Sequence, residues 1–213
     1  MLKKTEGFIQ ANDRLRTLAQ DNSQQASRSR YGLDCEISVL EILAQKANNL
    51  VCYHSFRHGP DRGPESFEID LLILTSSGTV VPVEVKAYKG RYALSQDKKH
   101  FVRADGEAQN VIVKSPISQI ERNVRLLKRF LLPFERTVPI SPAVVFVNEF
   151  YPSEDILNQF ESAMPAITVC PAYALPRDLL PALTMNRFAV NTPAFQLVDF
   201  LSKEHNYVPA LVP

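Results

Sequence analysis

Two acidic residues and one lysine lie in neighbouring apolar segments of the chain. Asp70 belongs to residues 67–75, and Glu84 and Lys86 belong to residues 79–86; both segments are rich in Ile, Leu and Val. Mg²⁺ prefers oxygen ligands and is usually held by one or two carboxylates together with waters and phosphate. A lysine beside such a site would lie next to the bound water or the phosphate. These three residues are therefore candidates for metal-assisted phosphate chemistry.

The two segments predict a β-hairpin. Ser76-Ser77-Gly78 separates them, and Gly supplies the left-handed conformation that a three-residue loop needs. In that register Asp70 lies directly opposite Glu84, and Lys86 shares their face because side chains alternate along a strand. Opposed Cβ atoms are about 4.5–5.5 Å apart, so two like charges there need compensation, either by a cation or by Lys86.

Apolar residues cover both predicted faces of this hairpin. Acidic residues in strands are commonly solvent-facing, and Glu-x-Lys in a strand is by itself a weak signal. Here one face would carry Ile69, Leu71, Ile73, Val81, Val83 and Val85, and the acidic face also carries Leu72, Leu74, Val80 and Pro82. Buried acids at a strand end are candidate site residues.

The remaining pattern predicts a mixed α/β fold with helices that flank the hairpin-bearing sheet. Ser115 as N-cap and Pro116 as the first helical residue open a long helix. Its apolar stripe consists of Ile117, Ile120, Val124, Leu127 and Leu131, and Pro133 ends it. We also expect helices over residues 33–47, 153–163 and 194–204, and strands over residues 51–54, 91–94, 100–103, 111–113, 143–147 and 167–170, with a turn region from Arg57 to Pro64.

Composition excludes several classes of protein. The 213 residues are 45% hydrophobic and 22% charged, as in an ordinary globular protein, and no apolar run is long enough for a membrane span. No secretory signal follows the first residues. Three widely spaced cysteines, Cys35, Cys52 and Cys170, predict buried thiols in a reducing compartment, so we expect a cytoplasmic protein without a membrane partner.

The formal net charge of +1 conceals an uneven distribution. Residues 86–136 carry 12 Lys or Arg against 5 Asp or Glu, which gives +7, whereas residues 1–85 have 9 against 11 and residues 137–213 have 3 against 7. A basic patch is what phosphate-backbone binding needs. The candidate nucleic-acid-binding residues are Lys89, Arg91, Lys98, Lys99, Arg103, Arg122, Arg125 and Arg129. The last three, spaced along one helix face, could equally form an ordinary solvated surface.

Four motifs in order along residues 31–150 carry a resemblance to a known family. They are Tyr31-Gly32-Leu33-Asp34-Cys35-Glu36, Glu68-Ile69-Asp70-Leu71-Leu72, Val83-Glu84-Val85-Lys86 and Ser115-Pro116-Ile117-Ser118-Gln119. The chain resembles the nuclease-related domain (NERD) family of the PD-(D/E)xK nuclease superfamily. Asp34-Cys35 replaces the usual second Gly of the first motif, and Ser115 replaces Asn before Pro116.

The resemblance implies a restriction-endonuclease-like mixed sheet and a catalytic set of Glu36, Asp70, Glu84, Lys86 and Gln119. Glu36, Asp70 and Glu84 would hold Mg²⁺ or Mn²⁺. Asp34 leaves open which acid of the first helix faces the metal, and Glu36 could instead be an acid that the helix dipole favours.

The expected function is metal-dependent hydrolysis of phosphodiester bonds, and the expected substrate is DNA. The alternative is an inactive nucleic-acid-binding or interaction module on the same fold. Residues 1–30 would form an N-terminal helix and linker arm, residues 31–150 the nuclease core, and residues 151–213 a Pro-rich extension packed on the core. A homodimer and a separate helicase-like chain are further candidate partners.

The sequence does not assign a single role to two histidines and two tyrosines near the motifs. His54 and His58 are four residues apart, but their strand and turn context argues against a helical metal pair. Tyr31 and Tyr88 flank the motifs and could stack on a base or simply pack.

Overall fold

The computed structural model of the protein describes residues 24–46, 50–59, 64–75, 78–104, 111–134, 138–179, 196–197, 200–201 and 210–212. Within these, the elements in chain order are α1 Gln24–Lys46, β1 Leu50–His58, β2 Phe67–Thr75, β3 Val80–Lys86, β4 Gly90–Leu94, β5 His100–Arg103, β6 Ile112–Lys114, α2 Ile117–Phe130, β7 Ala143–Phe146, β8 Phe150–Pro152, α3 Glu154–Ala163, β9 Thr168–Pro171 and β10 Ala210–Val212. None of the helices in this part of the chain is long and apolar enough to cross a membrane.

The main sheet has six strands in the order β10-β1-β2-β3-β7-β9. The pairs β10–β1, β1–β2 and β2–β3 are antiparallel, whereas β7 is parallel to β3 and β9 is parallel to β7. The predicted hairpin register is confirmed from Leu71, which pairs with Val83, to Leu74, which pairs with Val80. The predicted pair of Asp70 with Glu84 is wrong, because the pairing of β2 with β3 ends at Leu71 and Val83. This mixed sheet between helices confirms the predicted restriction-endonuclease-like α/β class.

Helices α1 and α2 cover the two faces of the main sheet. The buried side of α1, with Val39 and Leu43, packs in one core cluster with the inward residues of β1, β2 and β3. Leu126 and Leu127 of α2 pack in a second cluster on other residues of β1 and β2. The five residues of the predicted α2 stripe are all buried, which confirms that periodicity.

Helix α2 starts one residue later than the predicted first helical residue, Pro116. Its first residue is Ile117, and Pro116 is the cap. The hydroxyl of Ser115 still accepts a bond of 3.3 Å from the Ile117 N–H, and the Pro116 carbonyl accepts the first intrahelical bond, from Ile120. Ser115 and Pro116 therefore define the helix start together.

One packing prediction for the hairpin is wrong. Ile69 does not share a face with Leu71 and Ile73, which belong to the α1 cluster. It packs in the α2 cluster with Leu72 and Leu74. The alternation of sides therefore shifts by one residue within β2, between Ile69 and Leu71, and Asp70 occupies that position.

A smaller second sheet follows the β2–β3 hairpin, with its strands in the order β6-β5-β4-β8. Its three sequential strands match the predicted short strands at residues 91–94, 100–103 and 111–113 to within one residue. Aromatic side chains fill its inner side: the rings of Phe146 and Phe150 stack with centroids 3.8 Å apart, and Tyr88 lies 6.1 Å from Phe146. Tyr88 is partly buried and packs against this aromatic cluster.

Several boundaries differ from the sequence predictions. Helix α1 begins at Gln24, within the predicted N-terminal arm, and β1 continues to His58, through the start of the predicted turn region. Strand β10, which pairs with Leu50–Cys52 of β1, was not predicted. The predicted early helix around Phe8–Leu18 lies outside the described residues, as does most of the helix expected at residues 194–204.

Candidate active site

The candidate site is built around an irregularity in β2. Asp70 is the one residue of this strand, all of which the structure describes, that has no paired residue in either neighbouring strand. On the β1 side the pairing runs His54–Leu71 and then Phe56–Ile69, and it skips Ser55 and Asp70. Ser55 has φ 48°, a left-handed conformation that a serine rarely adopts. The sheet is therefore locally distorted on both sides of the pair Ser55 and Asp70.

Strands β2 and β3 separate at the same place. Their last pair towards this end is Leu71 with Val83, whereas β3 remains paired with β7 through Glu84 and Val144. The Asp70 carboxylate accepts a hydrogen bond of 2.7 Å from the backbone N–H of Val85. A side-chain oxygen thus takes the place of a backbone carbonyl, and it holds Asp70 beside Glu84.

Glu84, Lys86 and Gln119 form a connected group next to Asp70. Glu84 is only 1% exposed, and its Oε1 accepts from both the Lys86 ammonium and the Gln119 amide. The Lys86 Nζ also donates to the Gln119 Oε1 at 3.3 Å. Glu84 and Lys86 come from β3, whereas Gln119 comes from the first turn of α2. The sequence motifs are thus brought together by the hairpin and by the start of α2.

The charges in this group shift one another's proton affinities. Burial, followed by the carboxylates of Glu84 and Glu36, raises the pKa of Asp70 well above its usual range. Burial also raises the pKa of Glu84, although Lys86 acts in the opposite direction. Burial alone would lower the pKa of Lys86, but Glu84 and then Asp70 outweigh it and raise that pKa. The site therefore carries more negative charge than its lysine compensates.

Glu36 approaches this group from α1 but makes its hydrogen bond elsewhere. Its Oε2 lies 2.7 Å from Nε2 of His54. Its carboxylate is near enough to raise the pKa values of Asp70 and Glu84. Asp34, the alternative acid of this helix, is exposed. Of the two acids that the sequence left open, Glu36 is the one beside the site.

The donor chemistry fits a hard divalent cation. Two adjacent carboxylates are an oxygen-ligand set of the kind that Mg²⁺ uses. Burial is the main cause that raises the pKa values of both, and a cation bound between them would favour their charged forms. Among the described residues, no three His, Cys, Asp or Glu side chains are arranged to hold a metal ion. Asp70 and Glu84 therefore form a two-carboxylate site, and Glu36 would have to join it as a third ligand.

The family model for the nuclease-related domain, NERD, matches residues 31–147, more than half of the 213 residues. The chain belongs to the NERD family. No curated protein and no solved structure gives a significant match. The match begins at Tyr31 in α1 and ends just after β7, so it contains Asp70, Glu84 and their partners within the NERD segment.

A hydrogen-bonded contact that the sequence did not reveal braces the end of the NERD segment. The Asn148 Nδ2 donates to the Ala87 carbonyl at 2.7 Å and to the Tyr31 hydroxyl at 2.9 Å. It thereby ties α1 to the residue that follows Lys86. Tyr31 is 51% exposed, so its ring does not pack in the core. A single Asn after an apolar strand gives no pattern from which this role could be predicted.

His54 is the other residue of the NERD site that sequence reasoning did not assign. His58, four residues on, instead packs its ring on Phe130 with centroids 4.4 Å apart. The spacing of the two histidines carried no information because the distortion at Ser55 lies between them. The useful signal was a polar residue directly after the apolar residues 50–53 of the strand.

The basic residues of the NERD segment fall into two groups. Lys89, Arg91, Lys98 and Lys99 are exposed on or beside the small sheet, and Arg103 is partly buried there. On α2, by contrast, two arginines have structural partners. Arg122 donates to the carbonyls of Pro64 and Ser66 at 3.2 and 2.8 Å, and Arg129 lies 3.1 Å from Glu65. Arg125 is exposed between them.

Proposed function

We propose that this NERD protein is a metal-dependent nuclease that hydrolyses phosphodiester bonds in DNA. The observation that carries the proposal is the group Asp70, Glu84, Lys86 and Gln119 at the point where β2 and β3 separate. The NERD assignment supports a nuclease-related function at this site. Perturbed pKa values at acidic residues around one lysine support the proposal, because such shifts cluster at functional sites.

In this proposal Asp70, Glu84 and Glu36 would hold Mg²⁺ or Mn²⁺. When bound, the cation would lower the pKa of a water and stabilise negative charge on the phosphate. Lys86 keeps its proton because Glu84 and Asp70 raise its pKa, so it presents positive charge to a phosphate oxygen or orients the attacking water. Gln119, which contacts both Glu84 and Lys86, fixes the position of the ammonium.

The exposed basic residues on and beside the small sheet support a nucleic-acid substrate. Three residues, 87–89, connect the catalytic strand β3 to β4, so Lys89 and Arg91 follow the site directly in sequence. The Tyr88 hydroxyl donates to the Lys114 carbonyl at 2.9 Å, which places β6 beside this connection. A phosphate backbone held by Lys89, Arg91, Lys98 and Lys99 would lie next to the candidate active site.

The test is DNA cleavage by the wild type beside matched variants. Circular, linear and single-stranded DNA, with RNA for comparison, would be incubated with Mg²⁺ or Mn²⁺ and with a chelator. Asp70→Asn and Lys86→Met should each lower the rate by about 100-fold or more, and the chelator should abolish cleavage. Glu68→Gln is the control, because this exposed carboxylate on the same strand pairs with Arg57 outside the site. Equal products from the wild type and both site variants would refute the catalytic proposal.

A second candidate is a nucleic-acid-binding module without catalysis. The hydrogen bond between Glu36 and His54 favours it, because the third acid is held by a protein partner rather than presented with the other two. In that case the wild type and Asp70→Asn would bind DNA equally, and neither would produce cleaved strands with any cation.

We place the reaction in a reducing compartment, the cytoplasm. Cys35, Cys52 and Cys170 are buried free thiols, as predicted from their number and spacing. A dimer and a helicase-like partner chain remain proposals that solution mass and co-purification would test.

A further inference from the structure

His54 and Glu36 make a contact that the proposed reaction does not use. The His54 Nε2 and the Glu36 Oε2 are 2.7 Å apart, and the two side chains are only 7% and 19% exposed. A ring nitrogen that carries its proton can donate to this carboxylate oxygen. A polar contact with this little exposure is electrostatically stronger than the same contact in water.

This contact lies directly beside the fork in the sheet. His54 pairs with Leu71 and precedes the distorted residue Ser55, whose neighbour across the sheet is Asp70. Glu36 is on α1, and its charge acts on both Asp70 and Glu84. The His54–Glu36 contact therefore joins α1 to the sheet at the edge of the carboxylate pair.

We infer that His54 is a positioning residue that fixes Glu36 as the third carboxylate of the cation site; this inference rests on the proposed function. The contact uses one carboxylate oxygen, Oε2, and leaves Oε1 as a potential ligand. Hydrogen-bonding partners of this kind orient the residues that hold a metal and keep them from turning to solvent. Without the imidazole, Glu36 could rotate outward, because its side chain is not fully enclosed.

Direct Mn²⁺ binding, measured by calorimetry without DNA, separates this role from catalysis. Replacing His54 by Leu should weaken Mn²⁺ binding about 10-fold or more, the usual effect of losing such a partner. His54→Gln should retain most of the affinity, because its amide can still donate to Glu36. Glu36→Gln should weaken binding similarly, and adding His54→Leu to it should cause no further loss, because His54 acts through Glu36.

His58→Leu is the matched control, since His58 is on the same strand and packs on Phe130. It should leave Mn²⁺ affinity unchanged. If His54→Leu does not fold, His54→Asn replaces it, because the shorter amide does not reach Glu36 as His54→Gln does.

Two results would overturn the inference while leaving the proposed function intact, provided that the protein still cleaves DNA. The first is wild-type Mn²⁺ affinity in His54→Leu or His54→Asn. The second is that the losses of Mn²⁺ affinity caused by Glu36→Gln and His54→Leu add up in the double variant. A wild type that neither binds Mn²⁺ nor cleaves DNA would refute the proposed function and the inference with it.

Discussion

The backbone N–H of Val85 donates to the Asp70 carboxylate over 2.7 Å at the point where β2 and β3 part. A hydrogen bond that belongs to the sheet thus ends on the acid of the candidate site. This hydrogen bond both positions Asp70 and links β2 to β3 beyond the end of their backbone pairing. The same bond holds this acid close to Glu84 and Glu36, whose charges raise its pKa in addition to burial.

Asp70→Asn should stabilise the protein at neutral pH. The folded-state pKa of Asp70 lies above its unfolded value of about 4, so its contribution to stability is fully present below that value and is lost as the pH rises through the folded pKa. Asn carries no charge, and its amide oxygen can still accept from Val85. We expect a gain of about 1 kcal/mol in the free energy of unfolding at pH 7, measured by denaturant titration with chelator present.

The pH dependence distinguishes this cause from a change in packing. The stability difference between Asp70→Asn and the wild type should shrink as the pH falls, because the wild-type carboxyl becomes protonated. Glu68→Gln, at the exposed pair with Arg57, should show no gain at either pH. A less stable Asp70→Asn at pH 7 would contradict the prediction.

Local patterns were sufficient to predict the hairpin and its register. Leu71 pairs with Val83 as expected because Gly78, at φ 81°, supplies the turn that sets the pairing. The apolar stripe of α2 could be predicted from its spacing because each of its residues is buried. These local rules bring Asp70 and Glu84 to the same end of the hairpin, but the hydrogen bond from the Val85 N–H, which the sequence did not predict, holds Asp70 in place there.

The rest of the site depends on contacts between distant segments. Strict alternation placed Ile69 on the wrong face, because nothing in the sequence marks the distortion at Ser55 and Asp70. The Glu36–His54 contact joins residues 18 positions apart, and Asn148 contacts Tyr31 across 117 positions. Strand β10 completes an edge of the sheet from near the end of the chain, and such pairings leave no periodic signal.

The buried ion pair of Glu84 and Lys86 should be coupled more strongly than an exposed pair in the same sheet. Glu84 is 2% exposed and Lys86 17%, whereas Arg57 and Glu68 are about half exposed. Breaking a buried pair leaves an uncompensated charge, so Lys86→Met alone should destabilise by about 3 kcal/mol. Adding Glu84→Gln should recover part of that loss.

A double-mutant cycle at each pair measures this difference. The coupling energy for Glu84 and Lys86 should exceed about 1 kcal/mol, and the cycle at Arg57 and Glu68 should give less than that. Equal coupling at the two pairs would show that burial does not strengthen the Glu84–Lys86 interaction.

The cysteines should be inert in the native protein. Burial raises the pKa values of Cys52 and Cys170 to about 12, and it also raises that of Cys35, so little thiolate is present at pH 8. A thiol reagent should label none of them quickly in buffer and all three in denaturant. Rapid labelling of one thiol in the native state would show that its part of the core opens without global unfolding.

Substitutions at Arg122 and Arg125 should distinguish an arginine of α2 that stabilises the fold from one that binds nucleic acid. Arg122 donates to the carbonyls of Pro64 and Ser66, so Arg122→Gln should lower the free energy of unfolding by about 1 kcal/mol. Arg125 is exposed, so Arg125→Gln should leave stability unchanged. If Arg125 contacts a phosphate, its loss should weaken DNA binding for all sequences and reduce the salt-dependence slope by about 1.

Binding titrations of catalytically inactive Asp70→Asn at several salt concentrations give that slope without cleavage. Arg125→Lys retains the charge and should restore both affinity and slope, which tests charge rather than side-chain shape. An unchanged slope in Arg125→Gln would show that Arg125 does not contact the phosphate backbone.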